Sequence, residues 1–242
     1  MNAPNAMAAT EDFEFSALAE AVNYRNAIIS EFKAYLHGRI LEVGAGIGQT
    51  SEAILLLPGV EELVALEPDP RFQQGFTTRH PDIRLIGGTA KDLSDGETFN
   101  AAVMVNVLEH IEDDQGELKT MRTILLPFQG HLCILVPARP EIFSKLDAHF
   151  GHFRRYTRSE LRDKLRFAGF EIVSLHYFNF IGYFVWWLRF KLMQGMSFDI
   201  KQVRLFDRRI FPIVHAIESR LMRPPIGQSL IAVCKSARSI AS

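Results

Sequence analysis

The chain has 242 residues, of which 48% are hydrophobic, and it carries a formal net charge of −1 at pH 7. This length suits one α/β domain with additions, and the balanced charge excludes a strong electrostatic attraction to nucleic acid. The first ten residues lack a basic start and an apolar centre, so the sequence indicates no signal peptide and favours a cytoplasmic protein.

The N-terminal segment carries apolar residues at helical spacing from position 13 to position 36. This spacing predicts one or two helices ahead of the first strand. We therefore assign residues 1–36 to an N-terminal helical leader or lid.

A glycine-rich turn follows the first predicted strand. The apolar run at 40–43 ends in Gly44, Gly46 and Gly48, and a helix-forming stretch begins after them. Glycines are needed in such a turn because the backbone must take positive φ and let a ligand approach closely. The dinucleotide fingerprint requires another glycine where this chain has Gln49, so the spacing disfavours a nicotinamide-dependent oxidoreductase.

Six further strands are predicted, at residues 62–67, 83–86, 101–105, 131–137, 171–177 and 229–234. Helical stretches separate most of them, and this alternation predicts a Rossmann-like α/β fold. We expect a doubly wound, mostly parallel seven-stranded sheet with helices on both faces. Residues 37–177 and 228–238 would form this core. Cys133 and Cys234 lie in apolar runs and are expected to be buried thiols.

An acidic residue, Glu67, ends the second predicted strand about 20 positions after the glycine turn. At this place in a nucleotide-binding fold, a carboxylate accepts hydrogen bonds from both hydroxyls of a ribose. The alternative is a solvated acid at the end of a strand.

Three segments resemble class I S-adenosylmethionine-dependent methyltransferases. Residues 41–48 resemble the first motif of that family. The stretch from Asn106 to Asp114 is similar to a segment of small-molecule members such as the ubiquinone-biosynthesis O-methyltransferases. Asp147, Gly151-His152 and the run at 154–157 resemble a bacterial subgroup that includes proteins thought to act on lipid-linked or cell-envelope sugars.

The resemblance implies S-adenosylmethionine as the cofactor and S-adenosylhomocysteine as the product. It places Thr89 near the adenine amine and the backbone N–H of Ala90 near a ring nitrogen, with Asp92 as either another acid or a turn cap. The implied cofactor-binding positions are Tyr24, Arg25, Glu42, Gly44, Ala45, Gly46, Gly48, Glu67, Pro68, Thr89, Ala90, Asn106 and Val107. Packing for Tyr24 and surface exposure for Arg25 are the alternatives.

A hydroxyl acceptor needs a nearby base, and His110, His152 and Asp147 are candidates. Tyr156 can join Asp147 and His152 in a hydrogen-bonded network. The alternative for His110 is a structural histidine that bonds to the backbone. His149 and His152 lack further ligands at suitable spacing, so no metal is predicted.

Two arginines, Arg154 and Arg155, are candidate substrate residues because a guanidinium can hold a carboxylate or phosphate with two hydrogen bonds. In the alternative, Arg154 pairs with Asp147 and only pins this segment. Thr157 and Glu160 form a capping-box pattern that predicts a helix over residues 158–168.

A long insertion, residues 178–227, lies between the last two predicted strands and is rich in aromatic residues and then in arginines. We expect it to be helical and to lie on the substrate side, with Trp186 in the pocket. Extra core, a homodimer contact and a membrane-facing patch are the alternatives.

The sequence therefore predicts methyl transfer from S-adenosylmethionine to a hydroxyl, or an amine, of a small molecule, including a lipid-linked or cell-envelope molecule. One alternative is another chemistry of the same cofactor, either cyclisation or aminocarboxypropyl transfer. The other is a protein that binds the cofactor without turnover.

Overall fold

The computed structural model describes residues 20–196, 199–220 and 223–237. Residues 1–19 lie outside the described residues. They include the first ten residues, for which no signal peptide is predicted, and most of the expected leader. Residue 238, the last residue of the expected core, also lies outside the described residues. The described part of the leader is a helix, α1 (Val22–Phe32).

Seven strands form one sheet: β1 (Gly38–Val43), β2 (Val60–Leu66), β3 (Arg84–Ile86), β4 (Ala101–Val105), β5 (His131–Pro137), β6 (Phe170–Phe178) and β7 (Ser229–Ser236). Their order is β3-β2-β1-β4-β5-β7-β6. The pairs among β1 to β5 are parallel, and β7 is antiparallel to both of its neighbours. The predicted doubly wound, mostly parallel sheet is thus confirmed.

Helices cover both faces of the sheet. They are α2 (Gln49–Leu55), α3 (Pro70–Arg79), α4 (Asp114–Leu125), α5 (Lys145–His149), α6 (Arg158–Phe167), α7 (Phe180–Trp186), α8 (Ile200–Leu205) and α9 (Phe211–Arg220). Side chains of α4 and α6 pack on one face of the sheet, and side chains of α1, α2 and α9 pack on the other. Both faces of the central strands are therefore buried, which explains their continuous apolar runs.

The insertion between β6 and β7 is helical, as expected. It consists of α7 to α9, and π-helical turns at Trp187–Leu192 and Phe206–Ile210 continue α7 and α8. The described residues contain no helix that is long and apolar enough to cross a membrane. Cys133 and Cys234 are buried free thiols, as predicted.

The carboxyl ends of β1, β2, β4 and β5 meet at one edge of the sheet, because these strands are parallel. The loops after these strands therefore converge there, which is where open α/β sheets bind ligands.

Candidate functional site

A cleft of about 710 Å³ lies at this edge of the sheet. Many of the expected cofactor residues line it: Tyr24, Arg25, Gly44, Ala45, Gly46, Glu67, Pro68, Thr89, Asn106 and Val107. The cleft is large enough for a nucleoside with an amino-acid tail. The fold has brought together residues from four separate loops and from the leader.

The glycine turn adopts the backbone that its sequence requires. Gly44, Gly46 and Gly48 all have positive φ, between 56° and 86°. The N–H groups of Gly44 and Ala45 both donate to the carbonyl of Leu66, at 2.8 and 3.0 Å, which holds the turn against the end of β2. A Cβ at Gly44 would lie 2.5 Å from a methyl group of Val107. The turn is thus closely packed below and open toward the cleft.

Glu67 projects into the cleft from the end of β2 and is 6% exposed. One carboxylate oxygen accepts from the Gly46 N–H at 2.7 Å, and the other accepts from the Asp69 N–H at 2.9 Å. Burial raises the pKa of Glu67, although these two backbone hydrogen bonds act in the opposite direction. Each oxygen keeps a lone pair, so the carboxylate is held in place to accept from two neighbouring hydroxyls.

Three of the expected cofactor positions do not line the cleft. Glu42 is buried in β1 and accepts a hydrogen bond from the Ser51 hydroxyl. Burial raises the pKa of Glu42 to about 8, with the neighbouring Glu67 contributing. Ala90 is buried beneath the cleft, and Gly48 packs against His80. These residues support the cleft from below.

Thr89 lines the cleft, but its hydroxyl is engaged locally. The Asp92 carboxylate accepts from the backbone N–H of Thr89 at 2.8 Å and from its hydroxyl at 3.1 Å, around the 3₁₀ turn Ala90–Asp92. The alternative of Asp92 as a turn cap is therefore correct. The Thr89 hydroxyl is therefore hydrogen-bonded to Asp92 and is not free to contact a ligand in the cleft.

The leader helix α1 closes one side of the cleft, and the insertion holds it. Buried Asp207 accepts from the backbone N–H groups of Asn23 and Tyr24, at 3.0 and 2.9 Å. This carboxylate satisfies unpaired N–H groups at the start of α1. Burial raises the pKa of the Tyr24 hydroxyl to about 12, and this hydroxyl lies 3.3 Å from Ser229 Oγ. Asp207 could not be identified from the sequence, because its partners are 184 and 183 residues away along the chain.

A second cavity of about 430 Å³ adjoins the first. Ala21, Tyr24, Asn106 and Phe150 line both cavities, so the two spaces meet there. The walls of the smaller cavity are largely apolar and come from the insertion, including Val185, Trp186, Phe190, Val203, Leu205 and Phe206. Its polar lining includes His152 and Arg155.

A buried polar cluster forms one wall of this second cavity. Asp147 Oδ1 accepts from Arg155 Nε at 2.7 Å and lies 3.1 Å from His152 Nδ1. Asp147 Oδ2 accepts from the backbone N–H and the hydroxyl of Ser144, at 2.7 and 2.8 Å. Burial would raise the pKa of Asp147, but the hydrogen bond with His152 and the charge of Arg155 outweigh it and lower the pKa to about 2. The guanidinium of Arg155 also stacks 4.4 Å from the centre of the Trp186 ring.

Arg154 and Tyr156 differ from the sequence expectation. Arg155, not Arg154, pairs with Asp147. Arg154 Nη1 lies 2.7 Å from Asp114 Oδ2, and the hydroxyl of fully buried Tyr156 donates to the same oxygen at 2.9 Å. Consecutive residues of this extended segment point to opposite sides, so Tyr156 cannot join the Asp147 network. The sequence does not distinguish Asp114 from the other acidic residues near the start of α4, so its role as the partner of Arg154 and Tyr156 could not be predicted.

His110 lies at the rim where the cleft meets the Asp147 cluster. Its ring and the ring of His152 are edge to face, with centroids 4.6 Å apart. The groups around His110 keep water away from its ring and so disfavour the protonated form, which lowers the pKa of His110 to about 4. The neighbouring His152 shifts this pKa in the same direction. A hydrogen bond to the Gly151 backbone opposes this shift. The backbone-bonding alternative therefore describes one nitrogen of His110, while the residue still lines the cleft.

Comparisons with known proteins agree with this geometry. A sequence model described as a methyltransferase domain matches residues 15–175. No curated protein sequence matches the chain.

Several solved structures share the fold. An S-adenosylmethionine-dependent methyltransferase from Mesorhizobium loti has a TM-score of 0.59 at 16% identity, with 86% of this chain and 97% of that chain covered. The N-methyltransferase NodS from Bradyrhizobium japonicum, solved with S-adenosyl-L-homocysteine, has a TM-score of 0.56 at 14% identity, with 89% and 86% covered. A methyltransferase from Archaeoglobus fulgidus gives 0.56 at 15% identity, with 87% and 92% covered.

Proposed function

We propose that this chain, which belongs to the methyltransferase-domain family, transfers the methyl group of S-adenosylmethionine to a hydroxyl of a small molecule with an apolar body. S-adenosylmethionine supplies an electrophilic methyl group together with its leaving group, so the protein has to bind, orient and exclude water. The observation that carries the proposal is the junction of the two cavities, where the Asp147–His152 pair lies beside the cofactor cleft.

The larger cleft is suited to the cofactor. The glycine turn lets the amino-acid part approach the backbone, and Glu67 is oriented by two N–H groups to hold the ribose. Gly88 and Thr89 line the part of the cleft where the resemblance places adenine. Asn106, with φ of 54°, lies between the two cavities, where the methyl group would face the acceptor.

His152 is positioned to take the proton of an acceptor hydroxyl. Its Nδ1 is engaged with Asp147, so Nε2 is the nitrogen left for the acceptor. A hydroxyl requires this help, whereas a neutral amine requires little. Ser144 and Arg155 hold buried Asp147 in place, and Asp147 in turn orients the imidazole of His152. An oriented base is useful for a hydroxyl acceptor, so this arrangement favours one.

The proposal is tested by measuring S-adenosylhomocysteine release with panels of apolar alcohols, phenols and amines. Release with hydroxyl compounds is expected to fall by 10²- to 10⁴-fold in kcat in His152→Asn, the range attributed to general-base catalysis. His149→Asn is the matched control, since His149 lies on the same segment but does not line either cavity. Amine methylation at unchanged rate in His152→Asn would instead support an amine acceptor.

The same incubation separates the alternative chemistries. Methylthioadenosine formed from the cofactor alone would indicate cyclisation or aminocarboxypropyl transfer. Tight S-adenosylhomocysteine binding without turnover on any acceptor would favour a non-catalytic binding protein.

The insertion supports a membrane-facing role as a finer part of this proposal. Large apolar side chains are exposed on α9 and on the π-helical turn that continues the adjoining helix α7, for example Ile213 at 65% and Trp187 at 44%. Exposed cationic residues lie on the same insertion, including Lys191, Arg208 and Arg209. Apolar and basic side chains together suit the surface of an anionic bilayer.

Vesicle sedimentation tests this role. The protein is expected to bind phosphatidylglycerol vesicles more strongly than phosphatidylcholine vesicles, and Trp187→Asp is expected to weaken binding. Phe167→Asp is the control, because Phe167 is 72% exposed but lies on α6, outside the insertion. Equal weakening in both variants would count against this surface, and a dimer that dissociates only in Trp187→Asp would assign it to a homodimer contact.

A further inference from the structure

Glu109, His110 and His152 come together at the junction of the two cavities. Their nitrogen and carboxylate oxygen atoms all lie within 4.8 Å of one another, and the described residues contain no other such group of three. Glu109 and His110 belong to the 3₁₀ turn Leu108–His110 after β4, and His152 follows α5. His149 is the histidine nearest to His152 along the chain, but the fold brings Glu109 and His110 to His152 instead.

A neighbouring group orients each of the two imidazole rings. His152 Nδ1 is 3.1 Å from Asp147 Oδ1, and its Nε2 faces Glu109 Oε1 at 4.0 Å. The ring of His110 is hydrogen-bonded to the Gly151 backbone. One nitrogen of each ring thus has a backbone or carboxylate partner, which is the arrangement that orients metal-binding histidines. The positive charge of nearby Arg155 is neutralised by Asp147.

The donor set selects the kind of ion. Two imidazole nitrogens and one carboxylate oxygen suit divalent ions such as Mn²⁺, Co²⁺ and Zn²⁺, whereas Ca²⁺ and Mg²⁺ prefer oxygen ligands alone. Three protein ligands leave coordination positions open, as in catalytic sites. His110 lines the cofactor cleft and His152 lines the second cavity, so an open position would face the acceptor.

We propose that Glu109, His110 and His152 bind a divalent first-row transition-metal ion that holds the acceptor hydroxyl for methyl transfer. This inference deepens the proposed function and rests on it. The ion lowers the pKa of the coordinated hydroxyl, whose proton passes to water. The acceptor oxygen then forms a bond to the methyl carbon, and the carbon–sulfur bond breaks with its electron pair moving to sulfur. His152 Nε2 is then a ligand, so the ion replaces this histidine as the activating group.

Metal binding is tested on the full chain after removal of metals with a chelator. Co²⁺ titration, followed by its visible absorption and by calorimetry, is expected to show one equivalent bound by the wild type. His110→Ala is expected to weaken this binding by at least tenfold, in line with the sensitivity of metal sites to their ligands and supports. His110 is the least buried of the three residues, so among the single-ligand variants this one carries the smallest risk of a folding defect. Zn²⁺ and Mn²⁺ are expected to compete with Co²⁺.

His149→Ala is the control and is expected to bind Co²⁺ as the wild type does. The absence of stoichiometric binding by the wild type, equal affinity in His110→Ala, or equal weakening in His149→Ala would overturn the site. S-adenosylhomocysteine binding is measured on the same samples. A protein that binds the nucleoside and methylates a hydroxyl without metal would retain the proposed function and refute only the metal site.

Discussion

Replacement of Glu67 by glutamine tests most directly the proposal that the larger cleft binds the cofactor. The carboxylate accepts from the N–H groups of Gly46 and Asp69, and each oxygen has a further lone pair that faces the cleft. A glutamine side chain keeps one oxygen acceptor, but its NH₂ group faces the other backbone N–H. The substitution therefore removes the charge and one of the two acceptor oxygens without changing the size of the side chain.

The expected loss follows from the hydrogen bonds that are removed. A hydrogen bond to a charged group contributes about 1.5–3 kcal/mol. At about 1.4 kcal/mol for each factor of ten in affinity, Glu67→Gln should weaken S-adenosylhomocysteine binding by about tenfold to 150-fold. The unpaired backbone N–H should also cost about 1–3 kcal/mol of folding stability.

Isothermal titration calorimetry with S-adenosylhomocysteine measures the first quantity, and urea unfolding measures the second. Glu62→Gln is the matched control, because Glu62 lies on the same strand but is exposed and pairs with Arg39. A folded Glu67→Gln protein whose dissociation constant stays within twofold of the wild type would refute the assignment of Glu67 to the ribose.

Three further predictions concern stability, each measured by urea unfolding. Because the pKa of Glu42 is raised to about 8, the native state binds more protons than the unfolded state above the ordinary carboxylate pKa. The free energy of unfolding therefore falls as pH rises toward 8. Glu42→Gln should make this fall less steep by up to about 1.4 kcal/mol per pH unit, and an unchanged slope would contradict the raised pKa. Arg155→Met should cost about 3–5 kcal/mol because it leaves the buried Asp147 carboxylate without its cation, and a loss below about 1 kcal/mol would show that the pair is dispensable. Gly48→Ala should cost at least about 2 kcal/mol, since φ is 86° and the new Cβ would lie 2.3 Å from His80 Cδ2; adding His80→Ala should recover only the steric part, and full recovery would exclude backbone strain.

Local patterns in the sequence were sufficient to predict the fold class and most of the expected residues that line the larger cleft. The spacing of apolar residues within a short segment distinguishes a helix from a strand, and a continuous apolar run indicates a strand that is buried on both faces. These patterns and the glycine turn are local, so they can be recognised without the tertiary structure. Glu67 could be placed for the same reason, since its distance from Gly44 along the chain is fixed by one β-α-β unit.

The set of side chains that share the second cavity depends on tertiary contacts. Arg155 rather than Arg154 meets Asp147, because the direction of each side chain depends on how the extended segment lies beside β5. Asp207 holds α1, and Glu109 and His110 meet His152, through contacts between distant segments that have no periodic signature in the sequence. Such contacts depend on the packing of whole elements, so the residues that line the second cavity are identified only when the chain is folded.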